Sequence, residues 1–445
     1  MGNKEIRTPN IDKLVESGTA FTQAHIPGGT VGAICMPSRA MLHTGRTLFH
    51  LENNGSTVPA EHTLMGEALQ EVGYQTFGTG KWHNGTEAYA RSFTAGGEIM
   101  FGGMGDHWNV QACDYDSTGT YENSRNKYIG QPFKDNNVET RLCDHITAGK
   151  HSSELFSELA ANWLKQYDSD DPFFMYISFM APHDPRSMPE KFLNMYNPAD
   201  IKIPENFKSE HPFDFGIRQV RDEVLSPYPR TEEEVKRHLA EYYGMISHLD
   251  HQLGNVIETL KNQGDYENTI IIFAGDNGLA VGQHGLFGKQ SSYEHSVRVP
   301  LIFSGPGITV GGKRDSYTYL MDIFPTICEL IDIDIPESVE GISLYPTFTD
   351  EKLSIRDTLY FVYADLVRGV KNDRYKLIEY HHKDLIKKQL FDLKNDPQEK
   401  NNLSDKEEYS DIVEELSSEL TIYRDDWDEM GDPIGRKYWL KRDLK

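Results

Sequence analysis

The run Thr269-Ile270-Ile271-Ile272-Phe273-Ala274, ending in Gly275-Asp276-Asn277-Gly278, constrains this fold most. Six residues, apolar and β-branched without polar alternation, suit a strand buried on both faces, and such strands sit in sheets covered by helices. The pattern recurs. A helical pattern from Ser153 to Gln166 precedes the apolar run Phe173 to Phe179, which opens into Ala181-Pro182-His183-Asp184. Another, from Thr63 to Val72, precedes a short strand, Tyr74 to Gly78, and then Gly80-Lys81-Trp82-His83. Thr231-Glu232-Glu233-Glu234 reads as a capping box for a long helix through Leu260, broken by Gly264. Val299 to Phe303 is one more strand. Helix, apolar strand, polar loop is the alternation of an α/β chain with a mostly parallel central sheet flanked by helices. In such sheets ligands gather beyond the carboxyl ends of the strands. The clusters at 81–83, 183–184 and 276–277 can therefore meet, although distant in sequence.

The ends of the chain read differently. Thr8-Pro9-Asn10 opens a helix with Ile11, Leu14 and Val15 on one face, closed by Gly18. Residues 84–150, rich in Gly, Asn and Asp, read as long, substrate-facing loops. From about Leu353 short strand signals follow one another: Tyr360–Tyr363, Gly369–Val370, Tyr375–Ile378 and Gln389–Leu393. A charged helix ends that region near Tyr423. The expected division is 1–350 and 351–445, the second part a small antiparallel α+β subdomain. Acidic residues exceed basic ones by 24, with a pI near 5.1. That surface repels nucleic acid and anionic membranes, and no apolar run is long enough to span a bilayer. Four cysteines, Cys35, Cys113, Cys143 and Cys328, form neither a disulfide framework nor a C-x-x-C zinc site.

One of those cysteines stands in Cys35-Met36-Pro37-Ser38-Arg39-Ala40-Met41-Leu42-His43-Thr44-Gly45-Arg46. Pro37 suits a first helical turn and Gly45 a stop, which places Cys35 at a helix N-terminus, where anions are favoured. The segment resembles the C-x-P-S-R…T-G-R signature of the type I sulfatases, in the alkaline phosphatase-like superfamily. The likeness continues through Gly80-Lys81-Trp82-His83, Ala181-Pro182-His183, Asp276-Asn277 and the C-terminal Leu390-Phe391-Asp392-Leu393. It implies that a formylglycine-generating maturation enzyme converts Cys35 into formylglycine, the nucleophile. Arg39 and Lys81 would neutralise sulfate, His83 would take a proton from the formylglycine hydrate, and His183, with Lys289 beside it, would face the leaving oxygen. Asp276 and Asn277, with Cys35, would hold a divalent cation, calcium before magnesium because the ligands are hard oxygens. His107 and Trp108 are candidates for sugar contact. Those two are as readily packed loop residues, whereas His83, His183, Asp276, Asn277 and Lys289, each more often a bland loop or surface residue when taken singly, gain weight from their order with Cys35 and Arg39.

The resemblance also implies a first strand ending in two aspartates, ahead of the Thr8-Pro9-Asn10 helix, with no counterpart here. Calcium binding is therefore expected to be weak, with Asp106 or Asp114 as the nearest substitutes to consider. The expected reaction is hydrolysis of a sulfate ester on a carbohydrate, at a chain end or on a short fragment. The alternatives are a formylglycine-dependent phosphodiesterase or phosphonate monoester hydrolase, and an inactive truncated paralogue. The compartment stays open: periplasmic or secreted if an export signal was lost upstream, cytoplasmic otherwise.

Overall fold

The computed structural model describes residues 2–129 and 137–443. Helix α1 (Pro9–Ser17) runs directly into strand β1 (Gly18–Phe21). Helix α2 (Cys35–Thr44) stops at Gly45, which takes φ 66° and donates its N–H to Met41 O at 2.8 Å. The remaining elements of the main layer are β2 (Gln75–Trp82), β3 (Ala95–Phe101), α3 (Ser152–Gln166), β4 (Phe173–Ser178), α4 (Glu232–Gln263), β5 (Ile271–Ala274), β6 (Leu301–Ser304) and β7 (Gly312–Arg314). The Thr231 hydroxyl caps α4 by accepting from Glu234 N, but the Glu234 carboxylate pairs with Arg237 at 2.7 Å. That cap therefore closes on one side only.

The strands form two sheets. One has the order β4-β2-β3 and is parallel throughout; the other, β5-β6-β1-β7, is mixed, with β6 antiparallel to both neighbours. Helix α3 packs along α4, and Phe77, Ala160, Leu164, Val256 and Leu260 form the buried contact beneath β2. No ladder joins β4 to β5. Each leaves one backbone edge toward a cavity of about 2280 Å³, lined also by Leu249, Leu253, Val256 and Ile257 of α4 and reaching Arg39, Asp276 and Asn277. This gap separates the two sheets. The gap also explains a departure from expectation: β5 starts at Ile271, and its four residues are half-buried instead of fully buried.

Two other sequence readings change. The strand expected to end at Gly78 continues through Trp82, so Lys81 projects from the strand itself and His83 follows it directly. Gly80 permits this: at φ +94°, an added Cβ there would lie 2.1 Å from Ser178 O, so only glycine lets β2 lie so close to β4. The stretch 84–150 is more structured than a set of loops, since it holds the helix Thr86–Ser92, strand β3 and two antiparallel strand pairs, 111–112 with 145–146 and 125–129 with 138–142; its residues 130–136 lie outside the described residues.

After the main layer, β8 (Leu359–Tyr363), β9 (Val367–Lys371), β10 (Tyr375–His382) and β11 (Leu385–Asp392) form an antiparallel sheet. Helix α5 (Ser410–Asp426) packs on β9 and β10. Gly28–Gly29 adds a parallel edge to β8. The two parts share one core, which runs from Phe21 and Phe303 to Tyr360, Leu390 and Trp439. Lys376, fully buried, joins them by ion pairs to Glu294 at 2.8 Å and Glu399 at 2.9 Å.

Candidate functional site

Cys35 is the first residue of α2 and only 2 % exposed. Three cationic or ionisable side chains converge on its sulfur: Lys81 Nζ at 3.5 Å, His83 Nδ1 at 3.6 Å and Lys289 Nζ at 3.9 Å. They come from the end of β2, the residue after it, and the loop beyond β5, so the sheet topology supplies the convergence. The backbone supports it further. Asn84 Nδ2 donates to Met36 O at 3.0 Å, tying the end of β2 to the start of α2. Gly103 lies so close to His83 that a Cβ would sit 2.6 Å from Nε2.

Arg39, one turn into α2, sits beneath this group. Its Nε donates to Asp276 Oδ2 at 2.7 Å, and its Nη1 donates to Lys81 O at 3.1 Å and Tyr176 Oη at 3.3 Å, with Ser178 Oγ also in contact. Tyr176 and Ser178 were missed by sequence reasoning. Their signal was period-two spacing on β4, which puts both hydroxyls on the face toward Arg39. Asp222 was missed too. It accepts from Gln290 Nε2 at 2.8 Å, and with His183, Asp184 and Lys289 it lines an 80 Å³ cavity that also takes in Arg39, Lys81 and Asp276. No sequence pattern around it distinguished it from a loop carboxylate.

The electrostatics divide the groups by role. Burial pushes the Lys81 ammonium down, and Arg39 adds to this while Cys35 opposes it. Burial would raise the Asp276 carboxyl, but Arg39, Lys81 and Lys289 outweigh it and hold it well below the usual carboxylate range. Burial, then Lys81 and Arg39, drive His83 down to about 2, so it is neutral at pH 7. Burial, then Lys289 and Lys81, lower His183 to about 3. His183 Nδ1 faces two acceptors, Asp184 O at 2.9 Å and Asp184 Oδ1 at 3.1 Å, so Nδ1 carries the hydrogen and Nε2 remains for substrate.

The expected metal ligands fit less well. Asp276 Oδ2 is taken by Arg39, and Oδ1 accepts from Asn277 Nδ2 at 3.0 Å. Calcium prefers six or more oxygens, and Asp276 and Asn277, the first of them ion-paired, with one oxygen of a modified Cys35, do not make that cage. Of the substitutes considered, Asp106 is spent on Trp108 N and Asn109 Nδ2. Asp114 lies with Asp144 and His145 in an exposed cluster, the one group of three such ligands within reach of a single ion among the described residues. His107, expected as a sugar contact, is completely buried, with both ring nitrogens bonded inside the protein. Trp108 is half-buried and stands edge-on to His151.

Comparison with known proteins gives the family. The family model described as Sulfatase matches residues 2–333, and one described as N-sulphoglucosamine sulphohydrolase, C-terminal, matches residues 282–426. The chain is 28 % identical to an arylsulfatase of Clostridium perfringens over 93 % of its own length and 89 % of the relative's. It is 25 % identical to an N-acetylglucosamine-6-O-sulfatase of Bacteroides thetaiotaomicron, over 93 % and 81 % respectively. Its fold matches that of BT4656, solved with its substrate D-glucosamine-2-N,6-O-disulfate, with a TM-score of 0.76 and 21 % identity, covering 98 % of this chain and 95 % of that one.

Proposed function

The chain belongs to the sulfatase family and is a sulfuric ester hydrolase, and from that premise we propose that it removes sulfate from a carbohydrate, using a nucleophile made from Cys35. The observation that carries this reading is the convergence of Lys81, His83 and Lys289 within 3.9 Å of Cys35 Sγ. Sulfatases generally use a formylglycine and a divalent metal. The Cys35 sulfur marks where the oxygens of the modified residue would lie, and the surrounding ammonium groups and imidazole suit an oxygen nucleophile there. When present, that residue supplies an oxygen nucleophile whose sulfated form can collapse without a second attack by water.

The chain's own residues do the rest. A sulfate ester is already an anion, so an anionic nucleophile approaches it only where cations offset the repulsion. Lys81 and Lys289 flank the reacting position, and Arg39 fixes the floor through Asp276. His83, neutral at pH 7, can take a proton from the nucleophile. His183, once protonated, can give one to the leaving alkoxide, a contribution of roughly 10²–10⁴ in rate. No step is assigned to a metal, because the residues present do not form its cage.

The strongly acidic surface repels long polysulfated chains, which favours a monosaccharide, a chain end or a short fragment. The sugar-directed names of the relatives support the carbohydrate. The test is release of inorganic sulfate from glucosamine 6-sulfate by protein co-expressed with a formylglycine-generating enzyme, compared with aryl sulfate and with phosphate diester and phosphonate monoester. Preference for the two sulfates supports the reading. Preference for the phosphorus esters would replace it with the phosphonate or phosphodiester alternative.

A further inference from the structure

Helix α3 begins with buried polar residues that the reaction scheme does not use. His151 precedes its first turn, Ser152 and Ser153 open it, and the His107 ring lies over the His151 ring, with centroids 5.0 Å apart and planes 5° from parallel. Each ring's tautomer follows from its partners. His107 Nε2 lies 2.9 Å from His183 O, which can only accept, so Nε2 carries the hydrogen, and Nδ1 takes the Ser152 hydroxyl hydrogen at 2.7 Å. His151 Nδ1 accepts from Ser153 N–H at 3.1 Å, so its Nε2 carries the hydrogen and donates to Ser187 O at 2.9 Å. The two stacked rings, both oriented by the first turn of α3, thus donate to carbonyls at the two ends of the segment 183–187.

His248 of α4 also packs against His151, edge-on, with ring centroids 4.6 Å apart. Both rings are wholly buried. Burial lowers both imidazoles, His151 to about 4, so the neutral tautomers persist at pH 7. His183 has no other side chain holding its carbonyl among the hydrogen bonds described. A catalytic group displaced by about 1 Å loses on the order of 10² in rate, so whatever fixes this segment fixes the aim of His183 Nε2.

We propose that His107 and His151 are positioning residues: a stacked pair that clamps the 183–187 segment and so aims His183 at the leaving oxygen. The proposal rests on the reading of His183 as the acid. His107→Leu removes the donor, whereas His107→Gln keeps an amide N–H where Nε2 was. Hydrogen exchange of the 183–187 amides, measurable with or without turnover, should speed about tenfold in His107→Leu and return toward the parent rate in His107→Gln. On an alkyl sulfate, kcat should fall about 10²-fold in His107→Leu with little change in KM, while an aryl sulfate should change less than about threefold. In a His183→Ala background, His107→Leu should add no further loss.

Unchanged exchange at 183–187, equal losses on both substrates, or an additive loss in the His183→Ala background would each overturn the clamp. If His183→Ala itself lowers alkyl and aryl turnover equally, the acid reading falls and the clamp falls with it. If His183→Ala keeps its leaving-group dependence but His107→Leu shows none, only the clamp is overturned. Should His107→Leu not fold, Ser152→Ala serves instead: it frees His107 Nδ1 alone, and should give the same leaving-group dependence at a few-fold size.

Discussion

Arg39 Nε lies 2.7 Å from Asp276 Oδ2, an ion pair between the signature helix and the loop after β5 that spans 237 positions of sequence. The pair locks the Cys35 helix to the carboxyl end of the sheet. It also engages the Asp276 carboxylate, which the resemblance makes a metal ligand.

Calcium binding by residues 1–445 should therefore be weak. Titration calorimetry is expected to show no saturation below about 1 mM, the weak end of the range for protein calcium sites. Micromolar affinity would mean that other carboxylates complete the site. Supplying an apolar extended segment with carboxylates at its end, across the gap between β4 and β5, should raise both calcium affinity and the thermal midpoint.

His83→Ala and His183→Ala should each lower kcat by about 10²-fold or more, with smaller effects on KM. For His183 the loss should shrink on an aryl sulfate, whose leaving group needs little protonation. Equal loss on both substrates would remove His183 from the acid role.

The pH dependence follows from the same cations. Burial, then Lys289 and Lys81, lower the free His183 to about 3, so its acid form is lost as pH rises through that value. A bound sulfate offsets the lysines and raises the value. The basic limb for His183 in kcat, which reports the complex, should lie at higher pH than the limb in kcat/KM, which reports the free enzyme. Lys289→Gln should move the kcat/KM limb upward. Coincident limbs, unmoved by Lys289→Gln, would contradict this electrostatic picture.

Much of this site was legible because each part sits where a local pattern changes. The apolar runs at 173–179 and 269–274 mark strands, and the polar residues after them mark the edge of the sheet where the candidate site lies. Cys35 and Gly45 bracket a helix by ordinary capping rules. What escaped detection depended on distant partners. Lys81 read as a loop residue because glycines at 78 and 80 mimic a turn, whereas Gly80 serves the close approach of β4. His107 was as readily a sugar contact as a packed loop residue, and its two partners, Ser152 at the N-terminus of α3 and the His183 carbonyl, lie 45 and 76 positions away. The half-burial of β5 reflects a gap in the sheet that its own sequence does not encode.

Stability should depend strongly on a wholly buried ion pair that ties β9 of the C-terminal sheet to the short helix Glu429–Gly431. Arg368 Nε lies 2.7 Å from Glu429 Oε1, and neither side chain is exposed. Glu429→Ala leaves a buried guanidinium unpaired and should cost about 3–5 kcal/mol in urea unfolding. Glu205→Ala breaks the exposed pair with Lys400 and should be nearly silent. Comparable small effects from both substitutions would contradict the packing described for this sheet.

The central claim is that Cys35 is the precursor of the nucleophile, and the mass of its peptide tests it most directly. After co-expression with an active formylglycine-generating enzyme, the peptide holding Cys35-Met36-Pro37-Ser38-Arg39 should weigh about 18 Da less than the encoded cysteine peptide, the change from thiol to aldehyde. A peptide of unmodified cysteine mass, from cells in which the same maturation enzyme converts a known sulfatase, would contradict it.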